Sequence, residues 1–447
     1  MPSLDAICLR LTGQTLEVVQ HQLMAIRANV WSWLLVTLKI RKPRLQLADC
    51  ASTERFIVVL SPGGPERLEF WPLDDGLATV GYNVAEAIAP RDPRSRSLTR
   101  VATPPPGHVV VRITHFSVNY ADVTIRWGLY ESAIKFVGYP IVPGFDFSGV
   151  VEAVGDGVDN LRAGDAVFGI TFFGAYSSRL LVPASQCRKT PRALSAAEAA
   201  ALPSVAGTAL HAMALAQFWP AAPPTRNRAV LVHSAAGGVG SMLVQMAKTL
   251  GCAPVVGVVG AAHKIEACEA CGADTVVCKA GRSDWWDDVA AASPDGYAAI
   301  FDANGVATLR RSYDALAQTG RLVIFGFHTN LPTVSSTLSP LHWLRMAKGM
   351  ASMPTFEPMD LVLSSKSIHG FNLSFASASF VLPFVLRLRL DGVAVDASTR
   401  RLAGSSPTRR IWSTRTWRSS SRGCPRASSA SRASRPSASI CYRRRTR

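Results

Sequence analysis

Acidic residues are missing from the last 48 positions of this 447-residue chain, Arg400 to Arg447, which hold 14 arginines, 12 serines and no lysine. The formal net charge is +17, so only +3 is left for residues 1–399. The basic balance belongs to one segment, and the body of the chain carries no general attraction for polyanions. Even there, Trp412, Trp417 and Tyr442 are the only aromatics and no RNA-binding motif appears, which argues against a nucleic-acid binder. Paired cysteines are also lacking. Nine are scattered singly, apart from Cys268 and Cys271 in a stretch, Lys264–Cys271, that reads as helix. Without a second pair or a histidine pair, neither a zinc knuckle nor a disulfide framework is expected, and a reducing, cytoplasmic setting is. Long apolar runs are absent too. Val30–Leu38 falls well short of the roughly 20 residues that cross a bilayer, and no secretory signal is evident. A short helix, a membrane-surface contact and a remnant of targeting sequence all remain open for that run.

What is present divides the chain by texture. Residues 1–54 carry little turn punctuation and no motif, and form an extension of unknown role. From Arg55 onward, short apolar strands alternate with Gly and Pro turns: Phe56–Leu60, His108–Val118, Ser148–Gly155, Asp165–Ile170 and Tyr176–Pro183. A Pro/Arg-rich stretch, Ala89–Pro106, reads as an exposed loop between them. This pattern predicts a mostly antiparallel, barrel-like domain over residues 55–194. At Ser195 the chain turns alanine-rich, and Ser195 with Glu198 has the spacing of a capping box. Near-continuous apolar runs then alternate with helices. Ala229–Ala235 precedes a helix at Ser241–Leu250, and Pro254–Val259 precedes one at His263–Cys271. TVVC, AAIFDA and Arg321–Phe327 follow. Such runs predict a parallel sheet covered on both faces over residues 195–369.

The strongest local signal is Ala235-Ala236-Gly237-Gly238-Val239-Gly240, set between strand and helix. Glycines there let backbone amides approach a pyrophosphate, and the helix N-terminus supplies partial positive charge. The strict glycine pattern has Ala235 in its first position, so the strand–turn–helix context carries the reading. The next strand ends at Val259-Gly260 with no carboxylate for a ribose 2′-hydroxyl, and Lys264 follows. That favours a 2′-phosphate, and hence NADPH.

Asn119-Tyr120-Ala121-Asp122 followed by Arg126, Gly128, Leu129 and Tyr130 resembles the active-site segment of the medium-chain dehydrogenase/reductase superfamily, zinc-free quinone-oxidoreductase branch. Pro143–Gly149 and Ala235–Gly240 resemble that branch's turn and phosphate loop, and the resemblance covers roughly residues 55–375. Phe356–Leu361 with Gly370–Leu373 is most similar to the synaptic-vesicle membrane protein (vesicle amine transport) subgroup. The resemblance implies an α/β fold, a GroES-like β-barrel catalytic domain plus a doubly wound Rossmann-type nucleotide-binding domain. It implies NADPH-dependent hydride transfer to a quinone or α,β-unsaturated carbonyl, and a homodimer. It assigns Asn119 to the nicotinamide ribose or substrate oxygen and makes Tyr130 a candidate donor. Asp122 and Arg126, four residues apart, become a supporting ion pair, structural before catalytic. Thr208, Phe325 and Gly326 would line the nicotinamide, with Ala235, Gly237, Gly238, Val239, Gly240 and Lys264 on the phosphates and ribose. Asn119, Phe145 and Ser204 stand where zinc-dependent relatives hold their catalytic metal, so no metal is expected. Phe145, Phe147, Tyr130 and Trp127 are candidates for an aromatic substrate pocket. The alternative function is a membrane- or vesicle-associated binding protein that keeps the fold with little turnover.

The resemblance fades from Ala376. The family's chain returns to its barrel after the nucleotide domain, and residues 370–396 begin that return only in part. Residues 397–447 are expected to be disordered, because unbalanced arginines repel and little apolar area offsets the ordering cost. A genuine Arg/Ser tail and a shifted reading frame both remain open, and the second also accounts for the missing barrel pieces.

Overall fold

A computed structural model of the chain describes residues 55–72, 78–80, 98–100, 103–218, 228–331, 339–374 and 412–413, besides isolated positions between 20 and 38. The motifless extension, most of the Pro/Arg-rich loop and nearly all of the Arg/Ser tail lie outside the described residues. Both sheets described below belong to one compact unit, Met1–Thr414.

Strands β1 (Arg55–Val59) and β2 (Leu68–Pro72) pair as an antiparallel ribbon. The larger antiparallel sheet is built from β3 (Ala78–Val80), β4 (Leu98–Arg100), β5 (His108–Phe116), β6 (Asp146–Val154), β7 (Ala166–Ile170), β8 (Arg179–Pro183) and β9 (Cys187–Lys189). Their order is β4-β3-β8-β5-β6-β7-β9, all antiparallel except the single β3–β8 bridge. Val109, Val111, Phe147, Val151, Leu180 and Val182 fill its interior. The predicted strands thus fall where period-two patterning placed them.

The second sheet holds β10 (Val230–His233), β11 (Val255–Val259), β12 (Thr275–Cys278), β13 (Tyr297–Asp302), β14 (Leu316–Ile324) and β15 (Ser367–Gly370). They run parallel in the order β12-β11-β10-β13-β14-β15. Chain order therefore reverses beside β10, which makes a crevice at the carboxyl ends of the strands. Alternate residues feed opposite layers. Val230 and Val232 pack with Leu243, Val244 and Ala247 of the helix Gly238–Thr249. Leu231 packs on the other face with Val256, Trp285 and Tyr313. Burial on both sides explains why these strands read as unbroken apolar runs.

Several boundaries differ from expectation. The helix expected at Ser241 begins at Gly238, because Gly237 serves as its N-cap. The helix expected from His263 is a 3-10 turn, Ala262–Lys264, followed by Ile265–Ala270. The chain does not leave the nucleotide domain at Gly370; that residue closes β15, in register with Ile324. Within the segment expected to be disordered, β16 (Trp412–Ser413) pairs antiparallel with Phe116 and His115 of β5. It occupies an edge that β8, paired with His108–Arg112, leaves uncovered.

Candidate active site

The two sheets enclose a cleft of about 1280 Å³. Its lining includes Asn119, Tyr130, Thr208, Gly237, Gly238, Val239, Gly240, Lys264, Phe325 and Gly326. Asp122, Arg126 and Ala235 do not line it; Ala235 lies fully buried behind the glycine turn.

The turn itself is shaped by contact. Gly237 N–H donates to the Ser234 carbonyl (2.8 Å), and the helix starts one residue later. A Cβ on Gly240 would sit 2.8 Å from the Ala235 Cα and closer still to the Ser234 carbonyl oxygen, so only glycine lets this helix lie so close to the turn. A Cβ on Gly237 would meet only that oxygen, at 3.0 Å. The helix N-terminus opens onto the cleft, which Gly237, Gly238, Val239 and Gly240 line, and the first amides of a helix have no partner within it.

Asp146 organises the barrel side. Its buried carboxylate accepts from Ser117 Oγ (2.5 Å) and Asn119 Nδ2 (2.8 Å) on one oxygen. On the other it accepts from the amide (2.8 Å) and hydroxyl (2.5 Å) of Ser204, which opens the helix Pro203–Leu215. Asn119 and Ser204, two of the three positions expected to match metal ligands, are thereby joined through one carboxylate. Burial pushes the Asp146 carboxyl above its usual range, and the four donors pull it back. Asp146 was visible in the sequence only as part of a turn motif, since its partners lie up to 58 residues away.

The expected Asp122–Arg126 pair is corrected. Both lie on the helix Tyr120–Trp127, but Asp122 turns back to cap it, accepting from Asn119 N (2.8 Å), Gly144 N (3.1 Å) and Tyr176 Oη (2.9 Å). Burial raises its carboxyl to about 7, opposed by those donors. Arg126 reaches the other way, donating to the Gly63 carbonyl (2.8 Å) with Glu66 as the charge acting on it. Each charge found its own buried partners, so both residues support the segment without entering the cleft.

The aromatic wall also differs. Phe145 lines the cleft and packs on Phe173 at 5.2 Å and Tyr130 at 5.9 Å. Phe147 points into the barrel core, and Trp127 is buried with the Arg126 guanidinium 5.5 Å from its ring centroid. Phe136 and Phe172 take the places expected for them. Tyr130 Oη shares a 2.8 Å hydrogen bond with Ser374 Oγ, from the segment after β15. Cys268 and Cys271 are buried thiols, pushed up to about 12 and about 11 by desolvation, which suits helix packing and not redox exchange.

His233 and His328 also line the cleft and were not singled out in the sequence. His233 ends β10, with its Nε2 3.0 Å from Ser312 Oγ and its Nδ1 lacking a partner. Burial depresses both imidazoles; at His233 the nearby Asp302 carboxylate opposes it, and at His328 the Lys279 charge adds to it. Among the described residues, no three His, Cys, Asp or Glu side chains gather as a metal site. No helix among them is long and apolar enough to cross a membrane.

Comparison with known proteins gives two family matches. Residues 105–192 match the alcohol dehydrogenase GroES-like domain, and residues 238–380 match the zinc-binding dehydrogenase domain. The human synaptic vesicle membrane protein VAT-1 homolog is 31% identical over 280 residues, covering 62% of this chain and 67% of that protein. A probable quinone oxidoreductase of Schizosaccharomyces pombe is 32% identical over 234 residues, covering 51% of this chain and 65% of its own length. The chain thus spans about two thirds of the length of these relatives. The structure of Escherichia coli quinone oxidoreductase complexed with NADPH superimposes with a TM-score of 0.54 at 23% identity, over 79% of this chain and 94% of that one.

Proposed function

Because the chain belongs to the quinone-oxidoreductase branch of the medium-chain dehydrogenase/reductase superfamily, we propose that it is an NADPH-dependent oxidoreductase acting on a quinone or another α,β-unsaturated carbonyl. One observation carries this reading: the glycine turn at the sheet's switch point and an aromatic-walled space open into the same cleft.

The residues present fit the cofactor. Amides of Gly238, Val239 and Gly240 at the helix start would take the pyrophosphate, and any Cβ on Gly240 would push that helix away. Thr208, Phe325 and Gly326, which line the same cleft, would border the nicotinamide. When bound, NADPH supplies the hydride. The chain's own residues orient, exclude water and hold charge. Both N–H groups of the Asn119 amide are spent on Asp146 (2.8 Å) and Ser117 (3.2 Å), which leaves Oδ1 as the atom able to accept a ribose hydroxyl. Tyr130 Oη, accepting from Ser374 Oγ (2.8 Å), would turn its one proton from its long contact with Asn372 Oδ1 (3.4 Å) to the oxygen that gains charge when a conjugated carbonyl accepts hydride. Burial raises the Tyr130 hydroxyl above its ordinary range, so it stays protonated and able to donate. Phe145, Phe136 and Phe172 give the flat apolar walls that suit a quinone ring.

Asn119→Ala and Tyr130→Phe are expected to lower kcat roughly ten- to hundredfold, while the Kd for NADPH moves less than threefold, because both sit away from the phosphate loop. Steady-state kinetics beside a binding titration checks this. Unchanged turnover in either variant removes that residue from the chemistry.

A second reading is a binding or vesicle-associated protein with little turnover, favoured by the likeness to proteins named for synaptic vesicles. Absence of NADPH oxidation in a protein that binds NADPH would select it. As a homodimer, the chain would pair through β15, which has a strand neighbour on one side only among the described residues.

A further inference from the structure

The helix Pro340–Ala351 contributes only methionines to the cleft. Met346 and Met350 are four residues apart and so share one face, and Met353, just past the helix end, lines the cleft as well. Gly349 seats the helix, since a Cβ there would come within 3.3 Å of Asn330 Nδ2, and that nitrogen stands 3.6 Å from Met350 Sδ. No side chain of this helix is fully buried, and Met350 is 53% exposed. A methionine turned to a cleft in this way has apolar area still to cover, and its unbranched thioether adapts to whatever covers it.

A run of contacts along one wall connects these methionines to Tyr130. Tyr130 Oη shares its 2.8 Å hydrogen bond with Ser374 Oγ, and Phe371, three residues earlier in that segment, stacks on Phe325 at 6.3 Å. Phe327, two residues on from Phe325, is exposed and lines the cleft. The 3-10 turn His328–Asn330 comes next, and its Asn330 touches Met350. Charge narrows the occupant of this wall. Among the described residues, no aspartate or glutamate lines the cleft, and Lys264 is the one lysine or arginine that does. It stands on the turn after β11, with β10 and β13 between that strand and β14. A charged group set against the methionines would lose its water and find no partner, whereas a hydrocarbon gains by leaving water.

We propose that Met346 and Met350 form a binding site for the hydrocarbon tail of the acceptor, so that the substrate class is a quinone or enone bearing a long, uncharged aliphatic chain. This rests on the acceptor reading above and narrows it. The ring stands at Tyr130 between the aromatic walls, and the tail runs past Phe371 and Phe327 onto the methionine face.

The test uses para-benzoquinones that share one ring and differ only in a methyl, butyl, hexyl or decyl substituent, which changes tail length at nearly constant reduction potential. The full chain is read for kcat/KM with NADPH, and for quinone Kd by calorimetry with NADP+, which needs no turnover. Decyl should be favoured over methyl roughly tenfold or more in both, because each buried methylene adds affinity. Met346→Gln and Met350→Gln combined, which keep the length but add a polar amide, should cut that ratio to about threefold or less. Met350→Leu should keep it, and so should Leu344→Gln, on the solvent side of the same helix and 67% exposed. Thermal melting of each variant confirms that it folds. A geranyl substituent favoured over decyl marks an isoprenoid tail, and the reverse marks a straight one. If the chain neither binds nor reduces any of these quinones, the acceptor reading falls and this inference with it. Binding that depends on tail length without reduction overturns the acceptor reading alone. Reduction that ignores tail length overturns the inference alone, as does a dependence that survives both glutamines or is lost equally in Leu344→Gln.

Discussion

Gly240→Val should remove NADPH binding and destabilise the nucleotide domain, the largest effect expected of any single change in the cleft. The added Cβ would stand 2.8 Å from the Ala235 Cα, and the Ser234 carbonyl oxygen is nearer still. Both are backbone, so no side chain can swing aside. The helix Gly238–Thr249 must withdraw from the end of β10, which opens the core between Val232 and Leu243. Overpacking of this kind costs about 3 kcal/mol or more where the backbone itself is struck. The amides proposed to hold the pyrophosphate move with the helix, and affinity for NADPH should fall more than a hundredfold. Gly237→Ala is the control. Its backbone is extended (φ −81°, ψ 172°) and its new Cβ meets a single atom at 3.0 Å, so it should cost far less. Thermal melting and a cofactor titration of both variants measure the difference. Similar affinities in the two would show that the close helix contact does not shape the loop.

Asp146→Ala should cost about 3–5 kcal/mol of stability, through loss of a buried acceptor and not of packing volume. Four donors lose their partner at once: Ser117 Oγ, Asn119 Nδ2, and the amide and hydroxyl of Ser204. The first two belong to the barrel side and the last two to the helix Pro203–Leu215, so the change loosens the seam where Asn119 and Ser204 line the cleft. Freed of its anchor, Asn119 no longer presents Oδ1 in one direction, and turnover should fall along with stability. Asp146→Asn keeps the size but sets an NH2 group against donors, and should lie between the two. Denaturant unfolding with parallel kinetics tests this. A loss below about 1 kcal/mol for Asp146→Ala would mean that solvent reaches the four donors and the carboxylate is dispensable.

The glycine turn was legible in the sequence because its causes are local. A strand of four buried residues, two glycines that admit backbone contacts and a helix period follow one another without interruption. The capping box at Ser195 was legible for the same reason, and its Glu198 amide bonds Ser195 Oγ at 3.2 Å. The TVVC strand falls where its β-branched run placed it. What escaped depends on contacts between distant segments. The destination of Asp122 is decided by Tyr176, 54 residues on, and that of Arg126 by Gly63, 63 residues back, so an i, i+4 spacing gave the wrong partners. Phe145 and Phe147 lie on one strand-like stretch, yet one reaches the cleft and the other the barrel interior, a divergence that no periodicity reveals. β15 escaped in the same way, a four-residue strand recognisable only by what it pairs with.

Anaerobic mixing of the full chain with NADPH and a simple quinone, in the presence of a metal chelator, tests the central claim most directly. The account predicts that NADPH absorbance falls in step with quinone reduction, that NADH serves poorly, and that the chelator leaves the rate unchanged. NADPH that binds yet is not oxidised by any quinone or enone would contradict it. So would a rate that the chelator abolishes and added zinc restores.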